Sequence, residues 1–232
     1  MIVSYHFALQ CTTYLRHYAR KIIAKRLSGR HAHWYKNGKS GTYFRENGQI
    51  GKLTVEQSLL RHFYRTGSIE RRFIDDAEML FGYRYRSAAI LAKPDTNMAP
   101  LTQHPSQLDG EPGTRAPHLM LRRGESLIST IDLRLGNWTL LVGIQDTDWS
   151  EAARGVSQET DLLITAHHIE GVNGCKDTQH CFEECFEISS KGAVLVRPDG
   201  FVAWRSLGGV NHPHTQLRQA ISRLLGREPN PA

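Results

Sequence analysis

Residues 192–206, GAVLVRPDGFVAWRS, decide the fold of this chain. Two runs of aliphatic, β-branched and aromatic residues flank the turn sequence RPDG at 197–200. In such a turn Pro presets φ, Asp closes a local side-chain turn and Gly accepts a positive φ. The pattern therefore predicts a β-hairpin. Because few polar residues interrupt its strands, we expect both faces of the hairpin to be covered, in the middle of a packed α/β unit.

The elements around this hairpin are predicted in the order βαβα and then ββα. Such an order is typical of a thioredoxin-like α/β domain, in which a right-handed parallel unit is followed by an antiparallel hairpin and a helix. The predicted elements are a short strand or turn at 126–133, strands at 137–143 and 161–169, helices at 149–157, 178–188 and 214–225, and Gly226 as the cap of the last helix.

The chain ahead of this domain is expected to be mostly helical and basic. Apolar residues recur at three and four spacing over 5–27, which predicts one or two amphipathic helices. The glycines within 30–52 are typical of a loop or a weak hairpin. A further helix is predicted to begin at Thr54, which would cap it with Gln57 as the capping-box partner. Five of the nine prolines lie within 93–117, which predicts a linker.

We therefore divide the chain into four parts. They are a helical, basic N-terminal segment at 1–92, a Pro-rich linker at 93–117, a thioredoxin-like domain at 118–227 and a tail at 228–232.

The composition is that of a globular protein, with 40% hydrophobic and 22% charged residues in a chain of 232. Its apolar runs are too short to cross a bilayer and its start lacks a signal-peptide pattern, so we expect a cytoplasmic protein without membrane contact. The net charge of +6 arises in residues 1–86, since the remainder is slightly acidic. A solvated basic face, or one that docks on an acidic neighbour, is favoured there over nucleic-acid binding.

The cysteines and histidines predict neither a metal site nor a redox site. Cys175, Cys181 and Cys185 lack the paired spacing of zinc knuckles, and Cys181 and Cys185 are expected to share one helix face. No C-x-x-C follows the first buried strand, where disulfide exchange would need it. His167 and His168 are neighbours on a predicted strand, so their rings point to opposite faces and cannot easily share an ion.

Three motifs in a fixed order carry a resemblance to a known family. They are GYRYRSAAI at 82–90, GEPGTRAPHL at 110–119, and the hairpin sequence with the helix after it. In this order they resemble the closing part of the class A FAD-dependent aromatic and polyketide hydroxylases, the phenol hydroxylase-like flavoprotein monooxygenases. The resemblance covers residues 81–226, and it implies a thioredoxin-like C-terminal domain with structural and interface roles.

In the resembled enzymes NAD(P)H reduces FAD, and the flavin hydroperoxide formed with oxygen hydroxylates an aromatic ring. This sequence contains no G-x-G-x-x-G after a first strand, so no cofactor-binding or catalytic residue is assigned to it. We expect the C-terminal part of such a monooxygenase, inactive alone and partnered by a flavin-binding domain or subunit. The alternative is a non-catalytic thioredoxin-like module that forms a homodimer or docks on a separately encoded flavoprotein.

The residues of interest are those of the three motifs, which are expected to be structural. In the first motif we expect an extended segment whose tyrosines pack while its arginines face water. His118 beside Arg115 has no paired carboxylate or nucleophile nearby in sequence, so a structural turn is favoured over acid–base chemistry. The motif residues selected are Tyr83, Arg84, Tyr85, Arg86, Gly113, Arg115, Pro117, Arg197, Pro198, Asp199, Gly200 and Trp204.

Overall fold

The computed structural model describes residues 40–65, 67, 73–93, 99–134, 136–145, 148–170 and 174–226, with side chains from residue 48 onward except that of Arg134. The chain divides into two compact units, residues 1–80 and residues 81–232. The amphipathic helix predicted at 5–27 lies outside the described residues.

The first unit contains helix α1, Ser40–Arg65, and most of the short helix α2, Asp76–Phe81. The prediction of a loop up to residue 52 was wrong from Ser40 onward, because the helix continues through its glycines. Thr54 is not a cap: it lies inside α1 and donates its hydroxyl to Ile50 O at 2.8 Å. Asp75 caps α2 instead, since its carboxylate accepts from Ala77 N at 2.8 Å and Glu78 N at 3.3 Å.

The second unit is a mixed α/β structure with two sheets. Its strands are β1 Met120–Arg123, β2 Ser126–Ser129, β3 Trp138–Val142, β4 Ile164–His168, β5 Lys176–Asp177, β6 Ala193–Val196 and β7 Val202–Ser206. Its helices are α3 Trp149–Thr160, α4 Phe182–Cys185 and α5 Pro213–Leu225, with 3-10 turns at Pro105–Gln107 and Asp132–Arg134.

The four-stranded sheet has the order β4-β3-β6-β7. β3 and β4 are parallel and joined through α3, whereas β3 pairs antiparallel with β6, and β6 with β7. The predicted hairpin is therefore confirmed, with a register shift beside Val196. Gly200 occupies the turn with φ of 92°, the conformation expected of a glycine there.

Both faces of this sheet are covered, as the apolar hairpin predicted. Every residue of β3 and β6 is buried. Helices α3 and α5 pack against each other, with α3 also on β3 and β4. On the opposite face, Leu141, Val194 and Val202 join a core cluster with Leu121 of β1 and Phe186 after α4.

The second sheet, β2-β1-β5, was not predicted as a sheet, although β2 lies within the short strand or turn expected at 126–133. Its strands are two to four residues long, and β1 turns into β2 through Gly124, which has φ of 58°. Segments this short carry too few alternating residues for a period-two pattern to be recognised. The helix predicted at 178–188 is correspondingly reduced to α4, because residues 178–180 leave β5 in bends.

Helix α4 is held by a buried carboxylate. Asp177, only 1% exposed, accepts from the backbone N–H of Gln179 at 2.9 Å, Cys181 at 2.7 Å and Phe182 at 2.8 Å. Cys181 and Phe182 lie at the start of α4, where N–H groups have no partner within the helix. Asp177 thus fixes the entry of α4 from the end of β5.

The last helix ends as predicted. Gly226 adopts φ of 66° and donates its N–H to the carbonyls of Arg223 and Ser222. The left-handed conformation at this position is one that glycine adopts without steric cost.

Candidate functional site

The three sequence motifs converge on the open edge of β7. Gly113 donates its N–H to Val202 O at 2.8 Å, and Val202 donates to Thr114 O at 2.9 Å. Ala116 donates to Gly200 O at 3.0 Å, and Arg115 forms a bridge with Phe201. Part of the predicted linker therefore runs along the hairpin as an additional extended segment.

The first motif lies on top of the second. Tyr85 donates its backbone N–H to Gly113 O at 2.8 Å. Gly113 has φ of 100°, and a Cβ at this position would lie 2.5 Å from Tyr85 O. Only glycine permits this approach of two backbones without strain. The first and second motifs, which are separate in the sequence, are thus in direct backbone contact.

An aromatic and cationic cluster fills the junction. The rings of Tyr83 and Tyr85 lie 5.3 Å and 4.3 Å from that of Phe201, and the two tyrosine rings are 5.3 Å apart. The guanidinium carbon of Arg115 lies 4.8 Å from the Phe201 ring centre, and the side chain donates to Tyr83 Oη at 2.7 Å. We call these four side chains, Tyr83, Tyr85, Arg115 and Phe201, the aromatic cluster.

The tyrosines share one face, as the alternating sequence predicted, but the expectation that the arginines face water was wrong for Arg84. Arg84 is 4% exposed, and its guanidinium donates to Glu111 at 2.5 Å and Gln103 at 3.1 Å. Glu111 and Gln103 thus accept from the two terminal nitrogens of this buried guanidinium. Arg86 donates to the carbonyl oxygen of Ala99.

The hairpin turn is closed by its own ion pair. Arg197 is 2% exposed and donates to both carboxylate oxygens of Asp199, at 3.1 Å and 2.6 Å. Pro198 occupies the turn between them. The guanidinium also lies 5.7 Å from the ring centre of Tyr85, which brings the turn into contact with the aromatic cluster.

The two remaining motif residues lie away from this cluster. Pro117 accepts at its carbonyl oxygen from Thr130 Oγ1 at 2.8 Å. Trp204 packs edge-on against Trp149 at the start of α3, with ring centres 5.6 Å apart. His118, beside the motif, has its Nδ1 2.6 Å from Ser129 Oγ.

Two adjacent histidines point to opposite sides of β4, as predicted. Nδ1 of His167 lies 3.2 Å from the guanidinium of Arg123, whereas Nε2 of His168 lies 2.5 Å from Ser150 Oγ on α3. Burial lowers the pKa of His167, and the charge of Arg123 lowers it further. The ring of His167 is therefore neutral at pH 7.

The thiol of Cys181 is held in its protonated form. Loss of solvation is the main cause, and the adjacent Cys185 thiol and Asp177 carboxylate add to it, raising the pKa of Cys181 to about 12. A protonated thiol is a weak nucleophile. Among the described residues, no group of three or more His, Cys, Asp or Glu side chains is placed to hold a metal ion. No helix in the described part of the chain is long and apolar enough to cross a membrane.

The junction connects the three motifs through backbone hydrogen bonds and side-chain contacts. Within the described residues, its arginines donate to carboxylate, amide, hydroxyl and backbone carbonyl oxygens, and its rings contact each other. Phe201, Glu111 and Gln103 were not selected from the sequence. A buried arginine in the first motif would have pointed to an acidic partner in the second, but burial could not be read from alternating Tyr and Arg.

Comparison with known proteins identifies the domain. The family model described as "Aromatic-ring hydroxylase, C-terminal" matches residues 109–228. The chain belongs to this family. The resemblance inferred from the three motifs is thereby confirmed, and two of the motifs lie within the matched residues.

Relatives of this aromatic-ring hydroxylase domain are monooxygenases. The chain is 34% identical over 193 residues to 4-methyl-5-nitrocatechol 5-monooxygenase of a Burkholderia species, covering 80% of this chain and 35% of that protein. It is 33% identical over 190 residues to aklavinone 12-hydroxylase of Streptomyces purpurascens, covering 80% of this chain and 35% of the relative. The chain therefore spans about one third of the length of these curated relatives.

Two solved structures of flavin-containing hydroxylases and monooxygenases are also similar to this chain. Aklavinone-11 hydroxylase in a ternary complex with FAD and aklavinone superimposes with a TM-score of 0.75 at 31% identity, covering 88% of this chain and 37% of that chain. The flavin-dependent monooxygenase PieE, in complex with FAD and substrate, gives a TM-score of 0.66 at 25% identity. The match covers 80% of this chain and 39% of the PieE chain.

Proposed function

We propose that this chain supplies the C-terminal part of an FAD-dependent, NAD(P)H-using monooxygenase that hydroxylates aromatic or polyketide substrates, and that it is inactive alone. The observation that carries the proposal is the family match at residues 109–228, in a chain spanning 37% of an FAD-bound hydroxylase. When bound, FAD would supply the oxygen-transfer chemistry, and the role of this chain is structural support.

The turn between β3 and α3 does not fit the pyrophosphate of FAD. β3 leads through Gly143 toward α3. A strand followed by a glycine-containing turn and a helix is the arrangement that binds dinucleotides in other folds. A Cβ on Gly143 would lie 2.4 Å from Ser190 O, so the chain itself occupies the space beside this glycine. Asp148 adds negative charge directly before the helix. No step of the reaction is therefore assigned to residues of this chain.

We further propose that residues 118–227 form a thioredoxin-like domain. Its support is the order of the larger sheet, where a parallel unit through α3 is followed by an antiparallel hairpin and a final helix. The division into 1–92, 93–117, 118–227 and 228–232 remains part of this proposal. The contacts of residues 113–116 with β7 favour including the end of the predicted linker in the domain.

A second candidate function is a non-catalytic module that dimerises or docks on a separately encoded flavoprotein. The observation that favours it is the same coverage, since about two thirds of each relative lies outside the match. In either case we expect the partner to carry the flavin.

The proposal is tested by the visible absorption spectrum of the purified chain, recorded with and without added FAD and after dialysis. We expect a colourless protein that unfolds cooperatively and consumes no NAD(P)H with phenolic substrates. Flavin that survives dialysis would contradict the proposal, because it would require a binding site within this chain.

A further inference from the structure

Helix α4 carries two thiols one helical turn apart. Cys181 is the residue before the helix, Cys185 is its last residue, and Cys185 N donates to Cys181 O at 2.7 Å. This is the backbone bond of one α-helical turn, so the two side chains lie on the same side of α4. Both cysteines pack against the core cluster and both remain partly exposed. The pair is therefore a dithiol that a small molecule can reach.

The spacing of this dithiol does not suit a direct disulfide. Cβ atoms four residues apart on a helix are separated by about 5–6 Å. A disulfide needs a Cβ separation of about 3.5–4.5 Å. An S–S bond would thus require α4 to open at its start, where Asp177 holds the N–H groups of Cys181 and Phe182. A bridge that places one further atom between the two sulfurs fits the longer separation.

The surroundings of the pair favour a neutral ligand that reacts with thiols. Burial, then the Cys185 thiol and the Asp177 carboxylate, raise the pKa of Cys181 to about 12, so its proton is retained at neutral pH. The negative charge of Asp177 also opposes an anionic ligand. Trivalent arsenic with an oxide or hydroxide oxygen is neutral and soft, and its oxygen takes up the protons that the thiols release.

We propose that Cys181 and Cys185 form a chelating site for trivalent arsenic compounds. With phenylarsine oxide, two As–S bonds form and the arsenic–oxygen bond breaks. The two thiol protons leave with that oxygen as one water molecule, so arsenic and sulfur keep their oxidation states. The product is a ring closed across one turn of α4. This site belongs to α4 and is independent of the flavin.

The test uses the purified full chain and phenylarsine oxide. Mass spectrometry of the intact protein should show one added phenylarsenic group and the loss of two hydrogens. The affinity is measured by competition with ethane-1,2-dithiol. Cys181→Ser and Cys185→Ser each leave one thiol of the pair, and we expect about hundredfold weaker binding, because the second bond of the chelate is lost.

The other two cysteines provide matched controls. Cys175→Ala removes a thiol that is 1% exposed, and Cys11→Ala removes one outside the described residues. Each of these variants keeps the pair on α4, so we expect the affinity of the unchanged chain. Phenylarsine oxide should also raise the urea midpoint of the unchanged chain, because folded α4 holds the two thiols side by side and the unfolded chain does not.

Equal affinity of Cys181→Ser and the unchanged chain would overturn the proposal. Loss of binding in Cys175→Ala or Cys11→Ala would do the same, since another pair of thiols would then hold the arsenic. A chain that loses two hydrogens without gaining arsenic would show a disulfide and contradict the geometry. An unchanged urea midpoint at saturating phenylarsine oxide would show that α4 does not pre-organise the site.

Discussion

Replacing Phe201 by Ala is expected to destabilise the second unit strongly. The side chain is 2% exposed and contacts two tyrosine rings and the Arg115 guanidinium within the aromatic cluster. Truncation of a buried Phe to Ala removes about 3–5 kcal/mol through lost apolar burial and the remaining cavity. Each ring pair adds about 0.5–1.5 kcal/mol beyond burial, so we expect the upper part of this range.

Urea unfolding followed by tryptophan fluorescence measures this loss. Trp138 and Trp149 are each 2% exposed in the same unit and report its unfolding. Phe201→Leu keeps much of the apolar volume but removes the ring contacts, so we expect about 1–2 kcal/mol for this variant. Leu163→Ala, at a side chain that is 51% exposed, is the control and should change the free energy of unfolding by about 0.5 kcal/mol or less.

A loss below about 1 kcal/mol for Phe201→Ala would refute the reasoning, because it falls under the cost of the apolar burial alone. It would mean that the first two motifs can leave the hairpin without exposing a core. The aromatic cluster would then be a surface contact and not the anchor of the domain.

Two further predictions concern a buried carboxylate and a half-buried imidazole. Asp177→Ala removes the acceptor of three backbone N–H groups and should lower the free energy of unfolding by about 2–4 kcal/mol. Hydrogen exchange at the amides of Cys181 and Phe182 should be accelerated, because both donate to this carboxylate. Unchanged exchange would show that Asp177 does not cap α4. Because the pKa of His167 is lowered in the folded chain, the unfolded chain protonates this imidazole at a higher pH than the folded chain does. The contribution of neutral His167 to stability is therefore complete above about pH 6.5 and is lost as pH falls toward the folded pKa. His167→Gln should flatten the decline of unfolding free energy below pH 6.5, and a variant with the same pH slope as the unchanged chain would contradict this.

The larger sheet could be predicted because its central strands, β3 and β6, are buried and largely apolar. The turn RPDG and the uninterrupted strands on either side specify a hairpin locally, and Gly226 ends α5 in the manner that its position indicates. These features depend on neighbours in sequence. Local pattern and final structure therefore agree.

The smaller sheet and the junction could not be predicted, because they depend on partners distant in sequence. β1 pairs with β5 more than fifty residues later, and Arg84 finds Glu111 across 27 residues. An isolated pattern of Tyr and Arg does not distinguish a solvated strand from a buried one. The prediction that α1 starts at Thr54 failed because glycine and threonine lower helix propensity by amounts that the rest of a long helix can offset.

The segment that covers β7 protects the edge of this strand from pairing with another chain. An uncovered edge strand exposes backbone donors and acceptors to which another chain can add. Residues 113–116 emerge from the ribosome before the hairpin they protect, so the cover is already available when Val202 and its neighbours are synthesised. A fragment begun at Leu119 would keep every strand of the sheet and lose this protection, which makes residues 81–118 part of the smallest piece that should be expressed.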